Sequence, residues 1–510
     1  MDKYTKLSTI ASGVYGRVCK YKNNITNEIC CIKKIYLDDI HSFLREISNT
    51  RRCSHPNIIK IKEIIIETYP DGKLEGLYIV MPYIEMTLAQ VIRKNKLTDT
   101  QIIEYCLQLL SAVNHIHNNN IYHRDLKPDN ILIQGNKLYV CDFGVSRNVL
   151  DSKKMTNIVQ AAYYRSPEIL LHCKKYDEKI DMWSVGCIIA EMINGMVLFS
   201  DSSEIGLLYK IFNCMGTPSD DFLKKHDTKG NFPRYSARHI SNFIFTTNKL
   251  LLDLCKGLLC VDPDNRLSSY QAIQIIDSNY PITYPLYSYE TSKCKIIQGS
   301  DITLRIRKIL YDWLFEVKMV KALSIITLLN AYNIFDKYSS ICKINKNECQ
   351  LYGMVALYLS SLIHDVYYID DNDCIEVTDN TYNMKQFYVA VNNILTTLNY
   401  EIDITSLSMY SISREKLDNI TLLVYYVTIS PEFYTFFYSE ISEVLEIFYS
   451  TYMLWKEEKL NKTIFTRMFN KYLINIKCLP NDIKTSPIFL FAQEGEVDIY
   501  NYVTFISNML

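Results

Sequence analysis

His123-Arg124-Asp125-Leu126-Lys127-Pro128-Asp129-Asn130 (HRDLKPDN), with Asp142-Phe143-Gly144 beginning twelve residues beyond Asn130, decides how the rest of the 510-residue chain is read. Phosphoryl transfer asks a protein mainly for positioning and charge neutralisation. This stretch holds the groups for both. Asp125 can orient an attacking hydroxyl and accept its proton, Asn130 and Asp142 can hold Mg²⁺, and Lys127 can neutralise a γ-phosphate.

Working outward, Ile10, Ala11, Ser12, Gly13, Val14, Tyr15, Gly16, Arg17 and Val18 form a glycine turn of the kind that lets backbone approach phosphates closely. Ala11 stands where such turns carry their first glycine, while Gly13 and Gly16 remain. Alone, the segment also reads as an ordinary turn between two strands. Further on, CCIKK sets Lys33 in a buried strand, where a cation is costly without an anionic partner. Two partners are expected: the nucleotide α- and β-phosphates, and Glu46 in HSFLREIS.

From Ser8 to about Ile66 the pattern is strand-like (TIASGVYGRVCKY, a turn at NNITN, EICCIKKIYL). The helical DDIHSFLREISNTRRC interrupts it and ends before His55-Pro56, and LYIVMPYI is another buried strand. From Leu97 helical spacing takes over, as in TDTQIIEYCLQLLSAVNHIH. Residues 278–300, SNYPITYPLYSYETSKCKIIQGS, have two prolines and no period, and mark a boundary. Beyond them helical segments alternate with polar breaks to Leu510, in two blocks of similar length, 301–403 and 404–510.

Bulk properties narrow the partners. Formal net charge is -1 and the pI about 6.7, so nothing favours nonspecific nucleic-acid binding. Sixteen scattered cysteines with no CxxC pair suit reduced thiols of an intracellular protein, in the cytoplasm or nucleus, rather than a disulfide framework or zinc site. MDKYTKL lacks an apolar signal region, and no window reaches about eighteen uncharged apolar residues, so neither secretion nor a membrane partner is expected. Forty tyrosines with abundant Ile, Asn and Lys suit an AT-rich genome.

Together the glycine turn, Lys33, Glu46, HRDLKPDN and DFG resemble a eukaryotic protein kinase, and Lys127 in its DLKPxN setting resembles the serine/threonine form. REIS before HPNIIKI, YYRSPEILL, DMWSVGCIIAEM and LFSDSSEIGLLYKIFNCMGTP narrow the resemblance to the cyclin-dependent kinases over residues 1–276. The resemblance implies Met81 as gatekeeper and Ile84 as the hinge residue whose backbone meets adenine. It makes Glu168 and Arg266 a structural ion pair and gives Asp181 the task of holding the catalytic loop. It also implies an activating phosphothreonine at Thr156, neutralised by Arg45, Arg124 and Arg147, since a phosphate adds nearly two negative charges. Tyr15 matches the family's inhibitory phosphotyrosine, while Val14 replaces the neighbouring inhibitory threonine. Two departures bear on activity: Ala161 replaces a threonine that bonds the catalytic aspartate and lysine, and Gln160 replaces a valine that helps select proline after the target residue.

In the second half, IRKILYDWLFEV (residues 306–317) places Ile306, Ile309, Leu310, Trp313, Leu314 and Val317 at steps of three and four, the apolar stripe of a core helix. The segment resembles the cyclin box. NIFDKYSS would supply Asp336 as the buried partner of Arg307, QLYGMVALYLSS resembles the helix that normally ends in ASK, and TDNTYNMKQFYVAVNNILTTLNYEID resembles the family's TDxTY segment. Cyclins present a lysine and a glutamate to the kinase helix, and Leu362 and Val391 stand at those positions. A kinase-helix isoleucine that enters the cyclin pocket is Leu44 here. Ile306, Leu310, Trp313, Glu316 and Gln350 match the patch on which cyclins dock RxL-type substrates or inhibitors.

The expected architecture is therefore an α+β bilobal kinase fold (1–276), a linker (277–300), a cyclin box (301–403) and a divergent second cyclin-like helical domain (404–510). A linker of about 23 residues has a coil span of roughly 25 to 30 Å and raises the effective concentration of the partner it tethers. The expected function is transfer of the ATP γ-phosphate to protein Ser/Thr with Mg²⁺, activated by a kinase–cyclin contact within one chain or between copies. Host cyclins or cell-cycle inhibitors would be further partners. The alternative is a noncatalytic decoy that titrates such partners. Fused kinase and cyclin proteins of large DNA viruses are similar in arrangement and in AT-rich composition.

Overall fold

The computed structural model describes residues 1–13, 16–36, 40–69, 74–119, 121–144, 146–148, 162–173, 176–225, 232–278, 302–365 and 367–402. The chain divides into two compact units, Met1–Thr68 with Leu74–Tyr287, and Tyr69–Lys73 with Ser288–Leu510.

The first unit opens with β1 (Tyr4–Gly13), β2 (Gly16–Asn23), β3 (Ile29–Ile35), α1 (Ile40–Arg52), β4 (Glu63–Thr68) and β5 (Leu74–Pro82). The strands form one antiparallel sheet in the order β1-β2-β3-β5-β4. The β1–β2 hairpin closes at Gly13 opposite Gly16, so the glycine turn sits at a sheet end. The NNITN turn is set by Asn23, whose Oδ1 accepts from the Ile25 and Thr26 amides, and by Asn27 at φ 59°. On β3 the two-residue period sends Cys31 and Lys33 to one face and Cys30 and Ile32 to the other, where Cys30 and Ile32 pack with Tyr78 and Val80. Lys33 lies between Val18 on β2 and Ile79 on β5, and Cys31 lies opposite Met81.

A helical lobe follows: β6 (Met86–Thr87), α2 (Leu88–Lys94), α3 (Asp99–Asn118), β7 (Ile121–Tyr122), β8 (Ile131–Gln134), β9 (Lys137–Val140), β10 (Arg147–Asn148), α4 (Pro167–Leu170), α5 (Lys179–Asn194), α6 (Glu204–Met215), α7 (Asp220–Lys225), α8 (Lys249–Leu258) and α9 (Ser269–Asp277). Thr98 and Gln101 make a reciprocal capping box on α3. Gly195, in the left-handed conformation at φ 74°, ends α5. Helix α5 is buried from Ile180 to Ile193, and Trp183 stacks on Phe199 with ring centroids 6.0 Å apart. Short strands accompany the helices that follow Leu97. Two small sheets, β6-β8-β9 and β10-β7, carry the stretches on either side of HRDLKPDN, because residues 131–140 form a hairpin rather than a helical turn.

The second unit contains α10 (Leu304–Val320), α11 (Ile325–Ser339), α12 (Cys349–His364), α13 (Asp371–Val377) and α14 (Met384–Thr397). The apolar stripe expected on α10 is only partly right. Ile309 is 59% exposed, and Ile306 and Trp313 are half-buried. Tyr311 and Phe315 take their places in the core with Leu310, Leu314 and Val317. Aromatic residues that a strict aliphatic pattern passes over therefore turn the buried face by about one residue. Arg307 and Asp336 form a buried bidentate pair, Nε to Oδ1 at 2.8 Å and Nη2 to Oδ2 at 2.7 Å. Tyr311 and Tyr332 stack at 3.9 Å, and each hydroxyl donates to the other residue's carbonyl oxygen, at 2.9 and 3.0 Å. Residues 404–510 lie outside the described residues.

Among the described residues no helix is long and apolar enough to cross a membrane. The described cysteines are all unpaired and none is exposed, which suits reduced thiols.

Candidate active site

The site begins on β3. Lys33 is 7% exposed, a position its ammonium can occupy only against anions. Its Nζ meets Glu46 Oε1 at 2.9 Å and Oε2 at 2.8 Å, and Asp142 Oδ1 at 3.0 Å. Burial works against the charged lysine, but Glu46 and then Asp142 outweigh it and raise its pKa above the ordinary lysine value. Asp142 is pushed up by burial and pulled down further by Lys33, and stays below the usual carboxylate range. Helix α1, strand β3 and the DFG turn thus converge on one ammonium group.

Two glycines permit this approach. A Cβ at Gly144 would lie 3.2 Å from Asp142 Oδ1, 3.4 Å from Glu46 Oε2 and 3.7 Å from Lys33 Nζ, inside the cluster itself. At Gly16, φ is 149°, and a Cβ would come within 2.1 Å of the Lys34 carbonyl oxygen. Ile10 is half exposed, Ala11, Ser12 and Arg17 are exposed and Val18 is half-buried along the hairpin. Met81 and Ile84, at and just beyond the end of β5, are also half-buried. Val14 and Tyr15 fall outside the described residues, as do Thr156, Gln160 and Ala161.

The catalytic loop is built around Asp125. Its Oδ2 accepts from Lys127 Nζ and Asn130 Nδ2, both at 2.8 Å, and Asn130 Nδ2 also donates to the Asp125 carbonyl at 2.8 Å. Burial raises the Asp125 pKa, and Lys127 offsets this only in part. The loop's backbone is strained, with Arg124 at φ 68° and Asp142 at φ 67°. Asp181 on α5 holds the first of these: its Oδ2 accepts from the His123 amide and its Oδ1 from the Arg124 amide, both at 2.8 Å. His117 Nε2 lies 2.9 Å from Asp181 Oδ2, a contact that sequence reasoning missed although His117 is on the α3 face leading into the loop. His123, fully buried, sets its Nε2 3.1 Å from the Cys141 carbonyl and its ring 5.1 Å from Phe143, tying the loop to the DFG turn.

Lower in the lobe, Arg266 Nη1 and Nη2 meet Glu168 Oε1 at 2.7 Å and Oε2 at 3.0 Å, with both side chains essentially fully buried. The Arg266 guanidinium also donates to the Cys260, Lys179 and Val261 carbonyls. Of the three arginines expected around Thr156, Arg45 and Arg124 are half-buried, and the Arg147 side chain is outside the described residues.

The donor set fits a nucleotide-bound Mg²⁺. Asn130 spends its amide N–H groups on Asp125, which leaves the Oδ1 oxygen to face a metal, and Asp142 uses Oδ1 on Lys33, which leaves Oδ2. One carboxylate and one amide oxygen, completed by phosphate oxygens and waters, is the way Mg²⁺ is commonly held.

A five-stranded lobe and a helical lobe, with a Lys–Glu–Asp cluster facing an Asp–Lys–Asn loop, define a phosphotransferase of the protein kinase class. Residues 4–280 match the protein kinase domain, more than half of the chain, and the chain belongs to the protein kinase family. Residues 286–403 match the cyclin N-terminal domain. Among curated relatives, a probable serine/threonine-protein kinase of Dictyostelium discoideum is 35% identical over 290 residues, 54% of this chain and 56% of its own length. Cell division control protein 2 homolog 3 of Trypanosoma brucei brucei is 34% identical over 288 residues, covering 54% of this chain and 91% of its own. Cyclin-dependent kinase F-4 of Oryza sativa subsp. japonica is 31% identical over 285 residues, covering 54% of this chain and 61% of its own. This chain therefore spans little more than half of the Dictyostelium and rice relatives. The serine/threonine and cyclin-dependent class read from HRDLKPDN and its surroundings agrees with these names, and the expected kinase fold followed by a helical cyclin domain agrees with the two domain matches.

Proposed function

We propose that this chain is a serine/threonine protein kinase that transfers the ATP γ-phosphate to protein hydroxyls, with its cyclin-like unit acting as activator of the Glu46 helix. The carrying observation is the assembled Lys33–Glu46–Asp142 cluster beside the Asp125–Lys127–Asn130 loop. Bound Mg²⁺ would neutralise charge on the β- and γ-phosphate oxygens. Asp125, its Oδ2 fixed by Lys127 and Asn130, orients the acceptor hydroxyl and takes its proton through the free side of the carboxylate, a contribution of roughly 10²- to 10⁴-fold. Lys127 stabilises the transferring phosphoryl group, and Lys33 with Glu46 fixes the phosphates behind it. The decoy reading has less support, because a chain that only titrates partners gains nothing from holding Asp125, Lys127 and Asn130 in register.

Activation within the chain is supported by the cyclin domain match on the same polypeptide and by the short tether implied by residues 277–300. Leu44 lies on the Glu46 helix α1, Leu362 on α12 and Val391 on α14. Apolar residues at 362 and 391 suit a contact that the tether assists. Thr156 phosphorylation, docking at Ile306, Leu310, Trp313, Glu316 and Gln350, host cyclins or inhibitors as partners, an intracellular site of action and a viral source belong to the same reading. The test is phosphate transfer to a generic basic protein by the purified full chain. Asp125→Asn should abolish it, Thr156→Ala should lower it, and residues 1–280 alone should be far less active than the whole. Equal activity of the fragment and the full chain would sink the built-in activator.

A further inference from the structure

The Glu46 helix touches the DFG turn at a second place. Asn49, one helical turn beyond Glu46 and so on the same side of α1, donates from Nδ2 to Ser146 Oγ at 2.9 Å. Ser146 Oγ in turn donates to the Phe143 carbonyl oxygen at 2.5 Å, and the Ser146 amide donates to the same oxygen at 3.1 Å. Asn49 is 2% exposed and Ser146 fully buried, so both bonds are sheltered from water. The side-chain protons run one way, from Asn49 to Ser146 and from Ser146 to the Phe143 oxygen, an arrangement in which each bond polarises the next.

The Lys33 contacts do not make this relay redundant. A lysine ammonium is a point charge on a flexible stem and fixes distance better than orientation. Lys33 Nζ meets Asp142 through Oδ1, which leaves rotation of the carboxylate about that contact unfixed. The Phe143 carbonyl belongs to the Phe143–Gly144 peptide, one unit beyond the Asp142–Phe143 peptide, and holding it restrains the turn that follows Asp142, whose own backbone is strained at φ 67°. We infer that Asn49 and Ser146 are positioning residues forming a second clasp between the Glu46 helix and the DFG turn, which orients Asp142 toward bound metal and makes helix and turn move together. This rests on the kinase reading above.

The test uses the full chain as Ser146→Ala, Ser146→Thr, Asn49→Leu and the double variant Asn49→Leu/Ser146→Ala. In Ser146→Ala, kcat should fall about fivefold, roughly what one net buried hydrogen bond is worth, and the Mg²⁺ concentration for half-maximal rate should rise by a similar factor. KM for the protein substrate should stay within twofold. In the nucleotide-free chain, amides of residues 143–146 should exchange severalfold faster. Ser146→Thr, which keeps the hydroxyl, should restore these values. Asn49→Leu should reproduce the Mg²⁺ effect, and the double variant should lose no more than the larger single loss, because the relay acts as a unit. Unchanged kcat, Mg²⁺ dependence and exchange in both Ser146→Ala and Asn49→Leu would overturn the clasp, as would strictly additive losses. If the unaltered chain transfers no phosphate, the kinase reading fails, while the exchange measurement still decides whether the clasp exists.

Discussion

Replacing Asp181 by asparagine is the sharpest test of how the catalytic loop is held. The carboxylate accepts the His123 and Arg124 amides at 2.8 Å and faces His117 at 2.9 Å, with the side chain 1% exposed. Asparagine has one acceptor oxygen. If that oxygen serves His123 and His117, an NH₂ group faces the Arg124 amide, donor against donor. Losing a charge-assisted bond costs about 1.5 to 3 kcal/mol, and stranding a buried amide adds about 1 to 3. Relaxation of Arg124 from φ 68° returns part of this, since such strain stores about 1 to 3 kcal/mol. A net loss of about 3 kcal/mol follows, which in a unit of this size lowers Tm by about 6–12 °C. Released backbone at Arg124 moves the adjacent Asp125, so kcat should drop more than tenfold at temperatures where the variant is still folded. The pH dependence has a definite sign. Burial pushes the Asp181 carboxyl up, but the His117 contact and the Arg124 amide outweigh it, leaving its pKa below the usual carboxylate value. The stability advantage over Asp181→Asn is thus full above the unfolded value of about 3.9 and shrinks as pH falls below it. Thermal melts by circular dichroism across pH, paired with steady-state rates, measure both. A variant melting within about 2 °C of the parent with undiminished kcat would show that Asp181 does not impose the loop's conformation.

Burial raises the Asp125 pKa, so kcat/KM should fall on the acid side through a value above the ordinary carboxylate figure of about 3.9; a pH–rate profile with its limb at or below that figure contradicts this. Gly16→Ala forces a Cβ to 2.1 Å from the Lys34 carbonyl at φ 149°, and should weaken binding of a fluorescent ATP analogue about tenfold through hairpin strain. Asp336→Asn removes the buried negative charge that compensates Arg307 in the second unit and should cost about 3 kcal/mol in chemical denaturation, whereas Arg307→Met/Asp336→Leu should recover much of that loss.

The residues that the structure brings together as the Lys33–Glu46–Asp142 cluster and the Asp125–Lys127–Asn130 loop could be named before any fold was known, because phosphoryl-transfer chemistry asks for particular side chains at fixed separations. Glu168–Arg266 and Arg307–Asp336 came only through family resemblance, since nothing local in a sequence pairs residues 98 or 29 positions apart. His117 and the Asn49–Ser146 relay gave no signal, because a polar residue on a helix usually faces water and only the packed structure shows that these do not. On α10 the aliphatic period misplaced Ile309, since burial there is shared by Tyr311 and Phe315, whose rings reach the core from a flank of the helix. The small sheets around HRDLKPDN were missed for a different reason: strands of two to four residues are too short to show any period.

The stacked pair Tyr311–Tyr332 works as a two-way latch between α10 and α11, because each phenol satisfies the other residue's backbone oxygen. Sliding one helix by a single residue would orphan both hydroxyls at once and part Arg307 from Asp336. Neither tyrosine can then drift on its own without leaving a polar atom stranded in an apolar interior. The latch should therefore change only in concert, as a matched pair, and the slow rate of such double replacements would hold this helix register fixed while the neighbouring surface residues Ile309, Met319 and Val320 remain free to vary.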